Sequence, residues 1–424
     1  MIQVIKSGEF KTGRAVRGAV PAQVSATVAE IIAGVIERGD AALREYSLKF
    51  DGCAPGNFEV SASEMDAAME CADPKLVATM RRAAKNIEDF HRRQVRQGFV
   101  MAQASGAVLG QRILPIQRVG QYMPGGTAAY PSSVLMNIIP AKIAGVGEII
   151  MATPPSKDGS VNAAVLAAAK IAGAGRVFKI GGAQAVAAMA YGTQTVPRVD
   201  KITGPGNAYV AEAKRQVFGI VGIDMIAGPS DILVIADVNA DPSLVAADML
   251  SQCEHGEDSA AVLVTDCAGL AAKTAAEIEA QLLTLPRGGT ARAAIDKHGK
   301  IIIADSIEEA FEISNELAPE HLEILLDEPF AYLGRVKNAG SVFLGRHTPE
   351  AVGDYYAGPN HTLPTMGTAR FSGPLSVDDF VKKSSFTYYS QELLTGAADD
   401  IIRFAESEGL TAHALSVSKR LRSD

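Results

Sequence analysis

The chain has 424 residues, of which 47% are hydrophobic and 21% charged, with a formal net charge of −8. That length is too great for one ordinary core, so two or more globular domains are expected. The acidic balance argues against nucleic acid or an anionic membrane as main partner, no apolar run reaches membrane-spanning length, and Met1-Ile2-Gln3-Val4-Ile5-Lys6 is not a signal peptide, so the cytoplasm is the expected compartment.

Residues 1 to 20 show no strong period. Ser25 is a candidate cap for a helix to about Arg38; Gly39 stops it, and Asp40 starts another that runs to about Phe50. Asp51-Gly52 is a turn signal. Asp73 to about Gln97 reads as a long amphipathic helix with a solvated basic face. Ala107 to Ile116 and Arg118 to Tyr122 are β-like. The four cysteines, Cys53, Cys71, Cys253 and Cys267, form no CxxC pair and read as reduced thiols.

From there to about residue 228, short apolar strands (Gly147–Ala152, Arg176–Ile180, Lys201–Thr203, Gly222–Met225) alternate with helical runs. The helices are Ser132–Ala144, Val161–Ala172, Ala183–Ala190 and Asn207–Phe218. This is the pattern of a parallel sheet covered on both faces. The strand ends carry Met123-Pro124-Gly125-Gly126, Pro154-Pro155, Gly181-Gly182-Ala183-Gln184 and Gly204-Pro205-Gly206-Asn207. Ligands of open α/β sheets sit beyond the carboxyl ends of strands, so Tyr122, Gln184 and Asn207 are candidates for one crevice. The full G-x-G-x-x-G fingerprint is missing, and the glycines also suit plain tight turns.

A second α/β run follows, with strands Ile232–Ala236, Ala260–Thr265, Ile301–Ala304, Leu322–Leu326 and Ser341–Leu344. Its helices include Ser243–Leu250, Ala268–Leu283 and Ile307–Leu317. Two such sheets suggest two Rossmann-like domains. From about residue 374 the composition changes, and Val377–Lys383 and Ala398–Glu406 read as helices of a separate small unit.

Gln252 and His255 are three residues apart at the end of an apolar helical run, a spacing that suits half of a metal site and equally a polar helix end. Of the seven histidines, His91, His298 and His347 sit in exposed-looking, charged contexts. The other four have polar company in turn-rich settings: His255 with Gln252, His321 after Glu320, His361 after Asn360, and His413 in Glu408-Gly409-Leu410-Thr411-Ala412-His413. Gln252, His255, Asp354 and His413 would give zinc two imidazoles, one carboxylate and one neutral amide. Adjacent Glu320 and His321 suit an acid and base facing one reacting carbon.

These motifs, with Asp200-Lys201-Ile202, Ala227-Gly228-Pro229-Ser230, Pro319-Glu320-His321-Leu322, Gly353-Asp354-Tyr355 and Asn360-His361, resemble the histidinol dehydrogenase family over nearly the whole chain. Asp231 stands where that family more often has Glu, and Cys253 where a small residue is common. The resemblance implies an intertwined homodimer of two Rossmann-like parallel-sheet domains plus small N- and C-terminal helical units. The arm would be 1–20, the metal and catalytic domain 21–121 with 230–373, the NAD domain 122–229, and the unit that crosses to the partner 374–424.

It further implies zinc on Gln252, His255, Asp354 and, from the partner, His413. NAD would meet Tyr122, Gln184 and Asn207. Ser230, His361 and Glu408 would hold substrate, together with Gln252, His255, His321, Asp354 and His413. The implied reaction is a four-electron oxidation of L-histidinol to L-histidine with two NAD, the last step of histidine biosynthesis. His321 would take the alcohol proton and Glu320 would activate water against the aldehyde. The competing readings are a zinc and NAD dehydrogenase of another small alcohol, a zinc hydrolase in which Glu320 activates metal-bound water, and a non-enzymatic binding protein.

Overall fold

The computed structural model describes residues 2–10, 20–125 and 130–421. It divides into a large unit, Met1–Gln94 with Ile116–Phe380, and a small one, Val95–Pro115 with Val381–Asp424. Gly126, from the first glycine-rich strand end, lies outside the described residues.

The large unit holds two all-parallel sheets. The earlier has five strands in the order Arg176–Lys179, Glu148–Thr153, Arg118–Tyr122, Lys201–Thr203, Gly222–Ile223. The later has six, in the order Gln3–Lys6, Lys300–Ile303, Ala260–Thr265, Asp231–Ala236, His321–Leu325, Ser341–Leu344. Both sheets bury both faces. Ile150 enters one core while its neighbours Ile149 and Met151 enter another. Ile232 and Val234 likewise face away from Leu233 and Ile235. Side chains alternate along a strand, so only a continuous apolar run satisfies two covered faces. That is why these strands were legible as unbroken Val/Ile/Leu segments.

Helix starts follow the capping chemistry. Asp241 accepts from the Ser243 N–H at 2.8 Å, with Pro242 in the first turn of the Pro242–Cys253 helix. Ser61 and Glu64 close a reciprocal capping box on Ala62–Cys71, a helix the sequence reading did not separate.

Several placements differ from expectation. Gln3–Lys6 is no free arm: it pairs with Lys300–Ile303 at the edge of the six-stranded sheet. Arg118–Tyr122 is the central strand of the five-stranded sheet, between Glu148–Thr153 and Lys201–Thr203, so the boundary near residue 121 cuts through a strand. The Ala22–Arg38 helix packs on Gly182–Tyr191 and Ala208–Val217, and Pro74–Arg92 packs on Pro131–Ile143, so both cover the five-stranded sheet. The helix expected over 377–383 is a 3-10 turn, Val377–Phe380, followed by a strand, Val381–Tyr388. That strand pairs antiparallel with Val108–Pro115, which also pairs with Phe99–Ala102. Long-range pairing overrides the weak helical signal of a Ser/Thr/Lys-rich segment. The small unit is therefore a three-stranded sheet with two helices, Gln391–Ser407 and Thr411–Leu421.

Candidate active site

Glu320 and His321 stand where the loop after the Ile307–Leu317 helix enters the strand His321–Leu325. Both are buried, at 5% and 3% exposure. The neighbouring strand is Asp231–Ala236, in register with His321 opposite Ile232. This puts Asp231 beside Glu320. The Asp231 N–H donates to Glu320 Oε2 at 3.0 Å, and the Glu320 N–H donates to Asp231 Oδ1 at 2.8 Å. The Met366 N–H donates to Asp231 Oδ2 at 3.2 Å. His321 Nδ1 lies 3.1 Å from the Asp231 carbonyl, to which only a protonated nitrogen can donate. Nε2 is then the ring nitrogen left for chemistry, and it is buried with no hydrogen-bond partner of its own.

Two carboxyl groups close on that nitrogen. Asp354 Oδ1 is 3.5 Å and Glu350 Oε1 3.7 Å away. Gln252, 1% exposed, touches the other side of the ring with Nε2 3.1 Å from Nδ1. Its amide nitrogen also donates to Glu350 Oε1, while its Oε1 is buried without a donor. His255 lies just past the end of the Pro242–Cys253 helix, its N–H bonded to the Gln252 carbonyl at 3.1 Å. The shared helix face expected for this pair is a helix end followed by a turn. Asp354, His321 and His361 are all close enough to act on the charge of His255. His361 is fixed by Nδ1 against the Asp354 carbonyl at 2.8 Å and Nε2 against Ser133 Oγ at 3.1 Å. Ser230 directly precedes Asp231, with its carbonyl accepting from Ala260 at 3.1 Å.

The electrostatics favour an incoming cation. Burial first, then the neighbouring carboxylates, pushes Glu320 up to about 8 and Glu350 up to about 7, against the opposing charge of His321. Burial also opposes charge on His321, but the nearby carboxyls of Asp354, Glu350 and Glu320 outweigh it and raise the imidazole to about 10. Near neutral pH Glu320 and Glu350 thus hold protons much of the time, and a cation arriving among these groups would displace them. His321, Glu350 and Asp354 present ligand atoms all within 4.8 Å of one another. With an orphaned amide oxygen on Gln252 and an unpartnered His321 Nε2, the donor set of N and O atoms fits a divalent metal such as zinc.

At the five-stranded sheet, the Tyr122 hydroxyl accepts from the Gly182 N–H at 3.0 Å. Burial pushes this phenol up to about 12. Gln184, 1% exposed, sits in the first turn of the Gly182–Tyr191 helix, with Nε2 buried and unpartnered. Asn207 is exposed, its side-chain oxygen capping the Ala208–Val217 helix through Tyr209 and Val210. Its capping role is local; among the described residues its side-chain oxygen bonds only to the Tyr209 and Val210 N–H groups, and the Tyr122 hydroxyl bonds to Gly182 instead. Glu408 and His413 belong to the small unit and are exposed there.

Two site residues escaped the sequence reading. Glu350, 4% exposed, ties Gln252 to the vicinity of His321 and receives Ser251 Oγ at 3.2 Å. Its only sequence signal is its position four residues before Asp354. Asp231 registered only as a departure from a family pattern. His91, expected to be exposed, is fully buried, with Nδ1 on the Ile87 carbonyl at 2.8 Å and Nε2 3.4 Å from Asn360 Nδ2. No helix among the described residues is long and apolar enough to cross a membrane.

The histidinol dehydrogenase family profile matches residues 16–421. A histidinol dehydrogenase of Geobacillus kaustophilus is 54% identical over 394 residues, covering 93% of each chain. That of Clostridium acetobutylicum is 49% identical over 428 residues, covering 100% of this chain and 99% of its own. A crystal structure of histidinol dehydrogenase from Elizabethkingia anophelis superposes with a TM-score of 0.93 at 39% identity, covering 99% of this chain and 98% of that one. With one family matched from near the first residue to near the last, the chain belongs to the histidinol dehydrogenases.

Proposed function

We propose that the protein oxidises L-histidinol to L-histidine through the bound aldehyde, using zinc and two NAD, as the last step of histidine biosynthesis. The observation that carries this reading is the meeting of Glu320 and His321 with Gln252, His255 and Asp354, which come from three separate stretches of a chain of this family. Zinc on Gln252, His255, Asp354 and His413 of a second copy would orient the imidazole and amine of the substrate. NAD against Tyr122, Gln184 and Asn207 would accept hydride.

The protein's own groups do the rest. His321 Nε2 would take the alcohol proton, with zinc on Asp354 drawing that carboxylate's charge away from the ring. The Asp231 carbonyl keeps the ring in place through Nδ1. Glu320, held by the Asp231 N–H, deprotonates the water that adds to the aldehyde. His361 and Ser230 line the substrate, and Glu408 joins them from the second copy. Fixing the substrate against such groups is worth roughly 7–11 kcal/mol when geometry is near ideal.

On this reading residues 230–373 carry the metal and the acid and base, 122–229 carry NAD, and 374–424 cross between subunits of a homodimer. The small unit supports that assembly by exposing Val100, Met101, Tyr388, Phe404 and Leu415. The cytoplasm is the compartment that fits. The test is NADH formation by the purified zinc-loaded protein with histidinol, other amino alcohols, and histidinyl esters or amides without NAD. About two NADH per histidinol is the expected yield. Faster turnover of another alcohol, or hydrolysis without NAD, overturns the proposal.

A further inference from the structure

The turn Gly181-Gly182 is crowded from three sides. A Cβ on Gly181 would lie 2.6 Å from Pro154 and 3.0 Å from Asp51 Oδ1. One on Gly125 would lie 2.5 Å from Pro154. The loops after three neighbouring strands, Arg118–Tyr122, Glu148–Thr153 and Arg176–Lys179, therefore meet here, and Asp51 joins them from the end of the Asp40–Asp51 helix. This is the carboxyl edge of the sheet, where ligands of open α/β folds bind.

Two buried atoms at this turn have no hydrogen-bond partner: Asp51 Oδ2, an acceptor, and Gln184 Nε2, a donor. Gln184 packs directly on Gly182, its Oε1 2.7 Å from where a Cβ would stand, and Gly182 has φ +63. Buried polar atoms left unpaired are costly, so a complement is called for. A phosphate would satisfy the amide but be repelled by the carboxylate. A vicinal diol satisfies both, offering a hydroxyl hydrogen to one and a hydroxyl oxygen to the other.

We infer that Asp51 is a dinucleotide-binding residue: Oδ2 accepts from a hydroxyl of one ribose of NAD, while Gln184 Nε2 donates to the adjacent hydroxyl oxygen. This rests on the NAD reading above and adds a residue to it. The same carboxylate would keep the pyrophosphate away from this corner of the crevice.

Calorimetric titration of the zinc-loaded protein tests the assignment, using NAD, NADP, and NAD lacking the 2′-hydroxyl or the 3′-hydroxyl of either ribose. The wild type should bind at least one deoxy analogue about tenfold or more weakly, as for loss of a hydrogen bond to a charged group. Asp51→Asn should weaken NAD by a similar factor and then be indifferent to the same deletion. A lost preference for NAD over NADP in that variant identifies the adenosine ribose. Wild-type indifference to every deoxy analogue overturns the inference without any variant. Equal losses in wild type and Asp51→Asn for each analogue also overturn it. Failure of the wild type to bind NAD at all would instead defeat the underlying NAD reading.

Discussion

Asp231 and Glu320 are bonded to each other twice across neighbouring strands, each backbone N–H donating to the other's carboxylate at 3.0 and 2.8 Å. The exchange locks the rotamer of the proposed general base and the backbone that carries His321. Asp231→Ala removes the acceptor of two buried N–H groups, those of Glu320 and Met366. A loss of roughly 1–3 kcal/mol per orphaned donor is expected, and kcat should fall with it. Asp231→Asn, which keeps an acceptor oxygen, should recover most of the stability. Equal denaturant midpoints for Asp231→Ala and wild type would refute the locking role.

Glu320→Gln should slow conversion of the aldehyde far more than oxidation of the alcohol, because only the first needs a water made nucleophilic. Separate rates with histidinol and histidinal decide this. A positioned base is worth about 10²–10⁴-fold, so the split should be large. Equal loss in both steps would remove Glu320 from that role.

Glu350 accepts the Gln252 amide, which leaves the amide oxygen as the free end of that side chain. Glu350→Ala should therefore weaken zinc binding by about 10–100-fold, as for other groups that orient a metal ligand. Competition with a chelator measures it. Unchanged zinc affinity would mean that Gln252 is either held by other contacts or no ligand.

His413→Ala should abolish zinc retention even though the residue belongs to the small unit. Mixed with a Gln252-defective subunit, it should regain at most one working site per dimer. No regain after subunit exchange would argue against a site shared between copies.

Asp51 is raised by burial to about 6 from an ordinary 3.8. The folded chain therefore holds this proton more tightly than the unfolded chain. The resulting stability is fully present below about pH 4 and is lost as pH rises through about 6. Asp51→Asn should raise the Tm of the NAD-free protein above pH 6, by roughly 1–2 °C, and leave it unchanged near pH 4. A Tm difference independent of pH would show that the carboxylate is not strained in the free protein.

The sequence by itself determined most of the elements and the chemistry on offer. Unbroken runs such as Ile232–Ala236 announced strands covered on both faces, and the Gly181-Gly182 turn announced a strand end. Glu320 and His321 were legible because they are adjacent. What the sequence could not determine is which distant donor meets which acceptor. Gln252 meets Glu350 across 98 positions and Asp231 meets Glu320 across 89. Those meetings depend on strand register: His321 sits opposite Ile232 on one side and Ser341 on the other, and a one-residue slip would turn every side chain to the other face. The edge strand Gln3–Lys6, the pairing of Val381–Tyr388 and the burial of His91 were settled the same way. Local periodicity reports the state of a segment, whereas its neighbours are chosen by packing over the whole chain.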